Sequence, residues 1–284
     1  MMIIKLGGSS ITYKKDDSLP PYDSNELRRN YRIKENVVRT VGKQISGFDR
    51  ENLILVHGGG THGHRTVTRW KKEKARGTEP MMAWEVRWRM DQLSNVIVKV
   101  LGEEKVPSIS VPTSNVVLSD QGEVLELHMP PLRRIMERGC VPVLRGDMVP
   151  DVNGGWSVVS GDTLIKELCR RGKEELEPVS KAVMIMDEEG FLDPDTGELV
   201  ESIDPYTFQT NSHRWEKALT VNEGDVSGGI WGKVKVCRSM AEMGVETFMI
   251  GVNEAFRLKE VMDGGRAGTR FVPLKELDAR EDFN

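Results

Sequence analysis

Four glycine-rich segments hold most of the residues in this 284-residue chain that could do chemistry. Lys5-Leu6-Gly7-Gly8-Ser9 follows the first apolar run. Glycines let the backbone approach a ligand closely, and successive N–H groups cradle phosphate oxygens. The same residues would also make a plain strand-to-helix turn. The second segment is His57-Gly58-Gly59-Gly60-Thr61-His62-Gly63-His64, with three histidines. It reads either as zinc ligands or as an anion cradle. No carboxylate or cysteine stands nearby to complete a metal set, so the cradle is favoured and no metal site is expected. A histidine at the far end of such a turn could donate to a phosphate or phosphonate. The third segment pairs Gly146-Asp147 with Ser160-Gly161-Asp162, although Asp162 alone would pass for a helix cap. The fourth runs from Asp225 to Lys233 and sets a lysine at a helix start. It is not a nucleotide P-loop, because Val234 follows Lys233, and no G-x-G-x-x-G fingerprint follows a strand.

These segments sit at the ends of short apolar runs. Strands are expected at 2–6, 53–56, 107–111, 141–144, 182–186, 246–250 and 269–273. Apolar spacings of three and four predict helices over 25–46, 83–101, 130–138, 162–171 and 233–243. Asn153-Gly154 marks the tip of a hairpin across 150–157. Residues 12–24 read as a loop, and the basic stretch 65–80 as a solvated helix face or loop rather than a phosphate patch. Alternating strands and helices argue a three-layer α/β fold, an αβα sandwich with a mainly parallel central sheet, whose ligands bind beyond the carboxyl ends of the strands. The helix over 80–101 is unusually apolar (Met81, Met82, Trp84, Val86, Trp88, Met90, Leu93). Core packing or a dimer face is the simpler reading, and a wall for an apolar ligand tail the functional one.

Composition sets outer limits. The 40 basic and 44 acidic side chains leave a net charge of −4, which disfavours a general nucleic-acid binder. Three scattered cysteines exclude a disulfide scaffold. No apolar run is long enough for a membrane span and no signal peptide is visible, so a cytoplasmic protein without membrane partners is expected.

Taken in order, IIKLGGSSIT-x-K (3–14), LVHGGGTHGH (55–64), VPVLRGD (141–147), VVSGD (158–162) and DVSGGIWGKV (225–234) resemble the amino acid kinase superfamily. Within it they are most similar to the isopentenyl phosphate kinases. Lys14, the His64 that ends GGGxxGH, and Ser-Gly-Asp point to that branch. The resemblance implies transfer of a phosphoryl group from ATP to isopentenyl phosphate, with Mg²⁺ carried on the nucleotide phosphates, by a homodimer. It implies one domain over 1–284, with an acceptor-binding lobe over about 1–165 and a nucleotide-binding lobe over about 166–284.

The resemblance also distributes roles. Lys5 and Lys233 flank the moving group, one on each lobe, and Asp162 holds both ammonium groups. Lys14 reaches the transferring phosphoryl group. Gly58, Gly59, Gly63, Gly161 and His64 hold the acceptor. Gly7, Gly8, Ser9, Asp187, Gly190, Gly228 and Gly229 face the nucleotide. Thr61-His62 departs from the usual Ser-Phe and is expected to put a polar ring near the acceptor. Met186-Asp187-Glu188-Glu189-Gly190 departs from Thr-Asp-Val-Asp-Gly, and Ile250-Gly251-Val252-Asn253 lacks the usual Asn-Gly. The rival readings are a fosfomycin kinase, a nucleotide-binding protein without catalysis, and a regulatory interaction module. The apolar helix speaks against the first and the intact lysines against the second. The lack of an appended domain after the last strand speaks against the third.

Overall fold

The computed structural model describes residues 1–13, 33–73, 79–219, 229–252 and 257–274. Lys14, Gly228 and the segment 225–227 lie outside the described residues, as do 14–24 of the expected loop and 25–32 of the first expected helix.

Among the described residues the chain runs β1 (Met2–Leu6), α1 (Gly8–Ile11), α2 (Glu35–Ile45), β2 (Leu53–His57), α3 (Gly60–Glu73), α4 (Glu79–Glu103), β3 (Ser108–Ser110), β4 (Val117–Asp120) and β5 (Glu123–Leu127). It continues through α5 (Pro130–Met136), β6 (Val141–Arg145), β7 (Asp147–Pro150), β8 (Trp156–Val159), α6 (Gly161–Glu175), β9 (Lys181–Met186) and β10 (Ser202–Ile203). Last come α7 (Pro205–Leu219), α8 (Gly229–Glu242), β11 (Glu246–Gly251), α9 (Leu258–Met262) and β12 (Thr269–Phe271). Eight strands hydrogen-bond in the order β10-β12-β11-β9-β1-β2-β6-β3. The expected three-layer α/β class with a mainly parallel sheet is what forms. β9 with β11 and β2 with β6 are parallel pairs, while β11 with β12 is antiparallel. Every residue of β1, β2 and β6 is buried, as parallel strands covered on both faces require.

The chain divides into two compact units. The first comprises Met1–Lys5, Asn52–Ile54 and Asp162–Asn284; the second comprises Leu6–Glu51 and Leu55–Gly161. In the first, β9 and β11 pair in register from Lys181 with Glu246 to Met186 with Gly251. Phe191 packs edge-on against Trp215 with ring centroids 4.9 Å apart, and both side chains are closed to water. In the second, α4 lays Ala83, Val86, Met90, Leu93, Ile97 and Val100 into the core. Most of its apolar residues are therefore core packing, and only Met81 and Trp84 near its start stand out in solvent.

The expected 150–157 hairpin forms as β7–β8, turning through Gly154 and Gly155, both at positive φ. Residues 65–73 of the basic stretch continue α3. A second hairpin, β4–β5, turns through Gln121 and Gly122 at φ 50° and 90°. Sequence periodicity did not reveal it because β5 (EVLEL) buries only Val124 and Leu127, three positions apart.

Candidate functional site

In the first unit, β1 and α6 bring Lys5 and Asp162 together. Lys5 is the fourth residue of a buried strand, and Asp162 stands in the first turn of α6. Lys5 Nζ lies 2.9 Å from Asp162 Oδ1, with both side chains nearly closed to water. A carboxylate in a first helical turn is favoured by the helix dipole, which helps hold the charge there. From the first turns of α8, Lys233 Nζ reaches to 3.9 Å from Asp162 Oδ2 and donates a hydrogen bond to the Gly229 carbonyl at 3.2 Å. Gly229 has φ +59°, where glycine carries no steric cost. One carboxylate thus engages two ammonium groups, leaving a net positive centre. The expectation that the two lysines belong to different lobes is corrected: both lie in the first unit. Lys5 goes there because β1 contributes its first residues to the same compact unit as α6 and α8.

Asp187 follows β9 and is half-buried. Gly190 is buried, and a Cβ there would stand 2.6 Å from Leu199 Cδ1 and 2.8 Å from Thr269 Oγ1. Internal packing alone accounts for a glycine at 190. Glu188 and Glu189 are exposed.

In the second unit, Gly7, Gly8 and Ser9 lead into the short helix α1, and Gly58–Gly60 lead into α3. The two turns touch. A Cβ on Gly8 would lie 2.2 Å from Gly60 N, and one on Gly58 would lie 2.7 Å from Gly8 N. Side chains at 8 and 58 are therefore excluded by backbone. Gly60 sits at φ +48° with Thr12 Oγ1 where a Cβ would be. The Gly58 N–H donates to the Leu6 carbonyl at 2.9 Å, so the expectation that this N–H binds acceptor phosphate is corrected: β1 already takes it.

His64 is exposed on α3, one turn beyond the glycines, while Gly63 is buried and donates its N–H to the Gly59 carbonyl at 3.0 Å. His62 turns inward, only 2% exposed. Burial, with Arg89 nearby, pushes its imidazole down to about 3, so it stays neutral. The expectation of a polar ring offered by position 62 is corrected: α3 points 62 into the unit and 64 out of it, because residues two apart on a helix face different directions. Gly161 opens α6, its N 3.0 Å from where a Cβ on Gly146 would be.

Two buried polar clusters escaped the sequence reading. Glu85, on α4, pairs with Arg89 at 2.6 Å, accepts the Trp70 indole N–H at 2.8 Å and also pairs with Arg69. Its burial raises the carboxyl, but Arg89, Trp70 and Arg69 outweigh it and hold the group below its ordinary range. Arg145, 1% exposed, donates to Asp147 at 3.1 Å, to Asp91 at 2.6 Å and to Ser94 Oγ at 3.1 Å. Burial pushes Asp147 up against the opposing pull of Arg145. An arginine closing the apolar run VPVLR was the one visible signal.

Among the described residues no group of three or more His, Cys, Asp or Glu could hold a metal ion, and no helix is long and apolar enough to cross a membrane.

The model of the amino acid kinase family matches residues 1–251. The isopentenyl phosphate kinase of Methanothermobacter thermautotrophicus is 27% identical over 296 residues, covering 96% of this chain and 99% of its own length. That of Thermoplasma acidophilum is 25% identical, covering 95% of this chain and 99% of its own. An X-ray structure of isopentenyl phosphate kinase superposes with a TM-score of 0.73 at 23% identity, over 95% of this chain and 99% of that one.

Proposed function

Because this chain belongs to the amino acid kinase family, we propose that it transfers the γ-phosphoryl group of ATP to isopentenyl phosphate, giving isopentenyl diphosphate and ADP. The observation that carries the reading is the Lys5–Asp162–Lys233 cluster, in which one carboxylate holds two ammonium groups. Phosphoryl transfer needs positioning and charge neutralisation more than covalent help, and a fixed lysine pair supplies both. Relatives named isopentenyl phosphate kinase support the acceptor.

In the reaction an acceptor phosphate oxygen forms a bond to the γ-phosphorus. The bond from that phosphorus to the bridging oxygen breaks, and the electron pair leaves on ADP. The acceptor is already an anion, so no strong base is required, and Asp162 serves to organise the lysines. Lys5 and Lys233 offset the charge that spreads over the moving group. Lys14 reaches the same group or the acceptor phosphate. Gly59, Gly161 and His64 hold the acceptor phosphate, with the exposed His64 ring as donor, while Gly63, whose N–H is taken by the Gly59 carbonyl, keeps the turn close beneath it. Gly7, Gly8 and Ser9, with Asp187, Gly190, Gly228 and Gly229, serve the nucleotide. The acceptor thereby falls mainly to the N-terminal part of the chain, about 1–165, and ATP mainly to about 166–284. Asp162 is committed to its lysines, so Mg²⁺ fits here as an ion carried on nucleotide phosphates and water, where it neutralises phosphate charge, rather than in a protein cage. A cytoplasmic homodimer, with exposed Met81 and Trp84 as contact residues, completes the reading and is checked by sedimentation and cell fractionation.

The test is an ADP-release assay with isopentenyl phosphate, fosfomycin and N-acetylglutamate side by side. Fastest turnover is expected with isopentenyl phosphate; faster turnover with either of the others overturns the assignment.

A further inference from the structure

We infer that Arg145, Ser94 and His57 form a one-way hydrogen-bond relay that aims the Gly59 N–H at the acceptor phosphate, adding positioning residues to the function proposed above, on which the inference rests. His57 and Arg145 are register partners at the carboxyl ends of β2 and β6, so their side chains leave the sheet on the same face. Both meet Ser94 of α4: Arg145 Nη1 at 3.1 Å and His57 Nε2 at 2.8 Å. His57 and Ser94 are fully buried and Arg145 is 1% exposed. Arg145 is itself fixed by Asp91 and Asp147, while its carbonyl accepts the Thr113 hydroxyl at 2.5 Å.

The direction of each bond follows from donor chemistry. A guanidinium only donates, so Ser94 Oγ accepts from Arg145. At the other end, His57 Nδ1 lies 3.1 Å from the Gly58 carbonyl oxygen, which only accepts. The ring proton therefore sits on Nδ1. His57 is closed to water and the guanidinium beside it is already paired with Asp91 and Asp147, so the relay takes the ring in the neutral form that burial favours, with Nε2 as an acceptor. Ser94 supplies the proton that Nε2 accepts. The Ser94 hydroxyl has one proton and two acceptors within reach, since it also points to the Met90 carbonyl at 2.9 Å; this carbonyl already takes a backbone N–H in the ladder of α4, so the relay assigns the proton to Nε2. The chain of donation runs from Arg145 through Ser94 and His57 to Gly58, each bond polarising the next.

The consequence falls on the next peptide. A trans peptide is planar, with its C=O and N–H opposed. Holding the Gly58 carbonyl toward His57 points the Gly59 N–H the other way. The peptide before it is pinned as well, by the Gly58 N–H on Leu6. Gly59 lies outside helices and strands, and among the described residues its N–H has no backbone acceptor. The relay thus fixes an available donor in a turn of glycines, where the chain would otherwise be free to flip. A leucine–alanine contact would pack this corner equally well but could not orient a peptide plane.

Two measurements test the proposal on the full chain. In the first, ring ¹⁵N resonances are recorded at pH 7 for the five histidines, with His57→Gln giving the assignment. A neutral His57 ring protonated on Nδ1 is expected, with Ser94→Ala shifting the Nε2 resonance, as its donor is lost, while the proton stays on Nδ1. An Nε2–H or doubly protonated ring in the unsubstituted protein overturns the relay. In the second, Ser94→Ala should raise the KM for isopentenyl phosphate about tenfold, leave kcat and the KM for ATP within about twofold, and be rescued by Ser94→Thr, which keeps the hydroxyl. Equal rises in both KM values, or no rise, overturn it. Should Ser94→Ala not fold, Ser94→Cys, which keeps the volume but has only a weak S–H donor and a weak sulfur acceptor, is read in the same way. If the unsubstituted protein does not phosphorylate isopentenyl phosphate, the function fails there, and the tautomer measurement still decides the relay.

Discussion

Lys5 and Asp162 face each other at 2.9 Å with 5% and 11% of their side chains exposed. Lys233, at 3.9 Å and 21% exposed, is the wetter and looser partner of the same carboxylate. The two lysines are thus not equivalent. Lys5 is a structural half of a nearly closed ion pair, and Lys233 is the cation freer to move toward a ligand.

That difference separates the two lysine variants. Lys233→Ala should lower kcat by about 10²–10³, the size seen when one donor to developing charge is lost, and leave the melting temperature nearly unchanged. Lys5→Met should lower kcat as well and also destabilise the fold by about 1.5–3 kcal/mol, because it takes the nearer cation and its charged hydrogen bond from Asp162 and leaves the looser Lys233 to offset that charge. Steady-state kinetics and urea denaturation on both variants check this. Equal stability losses would remove the distinction.

His64 is exposed, whereas His62 is buried in the same helix, so only His64 can meet a ligand directly. His64→Ala should raise the KM for isopentenyl phosphate by about 10–100-fold, as for loss of a charge-assisted donor, with the KM for ATP little changed. A change confined to ATP would move this turn to the nucleotide.

The glycine turns were legible in the sequence because they need a residue type that few other contexts demand: Gly8 and Gly58 must lack a Cβ for two backbones to touch. The grouping of Lys5, Asp162 and Lys233 came from the family resemblance alone, since residues so far apart in the chain carry no local sign of meeting. By contrast, helices and strands that bury a full face were legible, as in β1 and α4. The β4–β5 hairpin was not, since it buries too little to show a period. Nor was the pairing of Glu85 with Arg69, or of Arg145 with Ser94. Charged residues read as solvated until the fold shows what covers them, and those partners come from segments far apart in the chain. His62 and His64 show the same limit: their types were equally suggestive, and only the direction of α3 separates them.

The buried His62 makes the fold sensitive to acid. Its folded value, about 3, lies below the ordinary 6.5. The unfolded chain therefore binds more protons between these values, and stability rises with pH through that window. The contribution is fully present above about 6.5 and is lost as pH falls toward 3. Moving from pH 7 to pH 5 should remove about 2 kcal/mol through this residue. Urea denaturation at both pH values should show that loss, and His62→Phe, which cannot titrate, should show a loss smaller by about that amount. An equal loss in the variant would assign the acid sensitivity to other groups.

The contact of the two glycine turns sets the last expectation. A methyl group on Gly8 would meet Gly60 N at 2.2 Å and Gly60 Cα at 2.6 Å, both backbone atoms that cannot rotate away. The turns must then separate by about 1 Å, which costs about 1–3 kcal/mol as overpacking and moves the Gly59 N–H. A displacement of that size is enough to lower turnover about 10²-fold when it falls on groups that position a substrate. Gly8→Ala should therefore show a depressed kcat/KM together with a modest fall in melting temperature. Gly47→Ala is the matched control, since a Cβ there meets nothing within 4 Å, and it should leave both unchanged. Wild-type turnover in Gly8→Ala would mean that the turns yield without moving the groups that bind the substrate, and that their close contact is not part of the site.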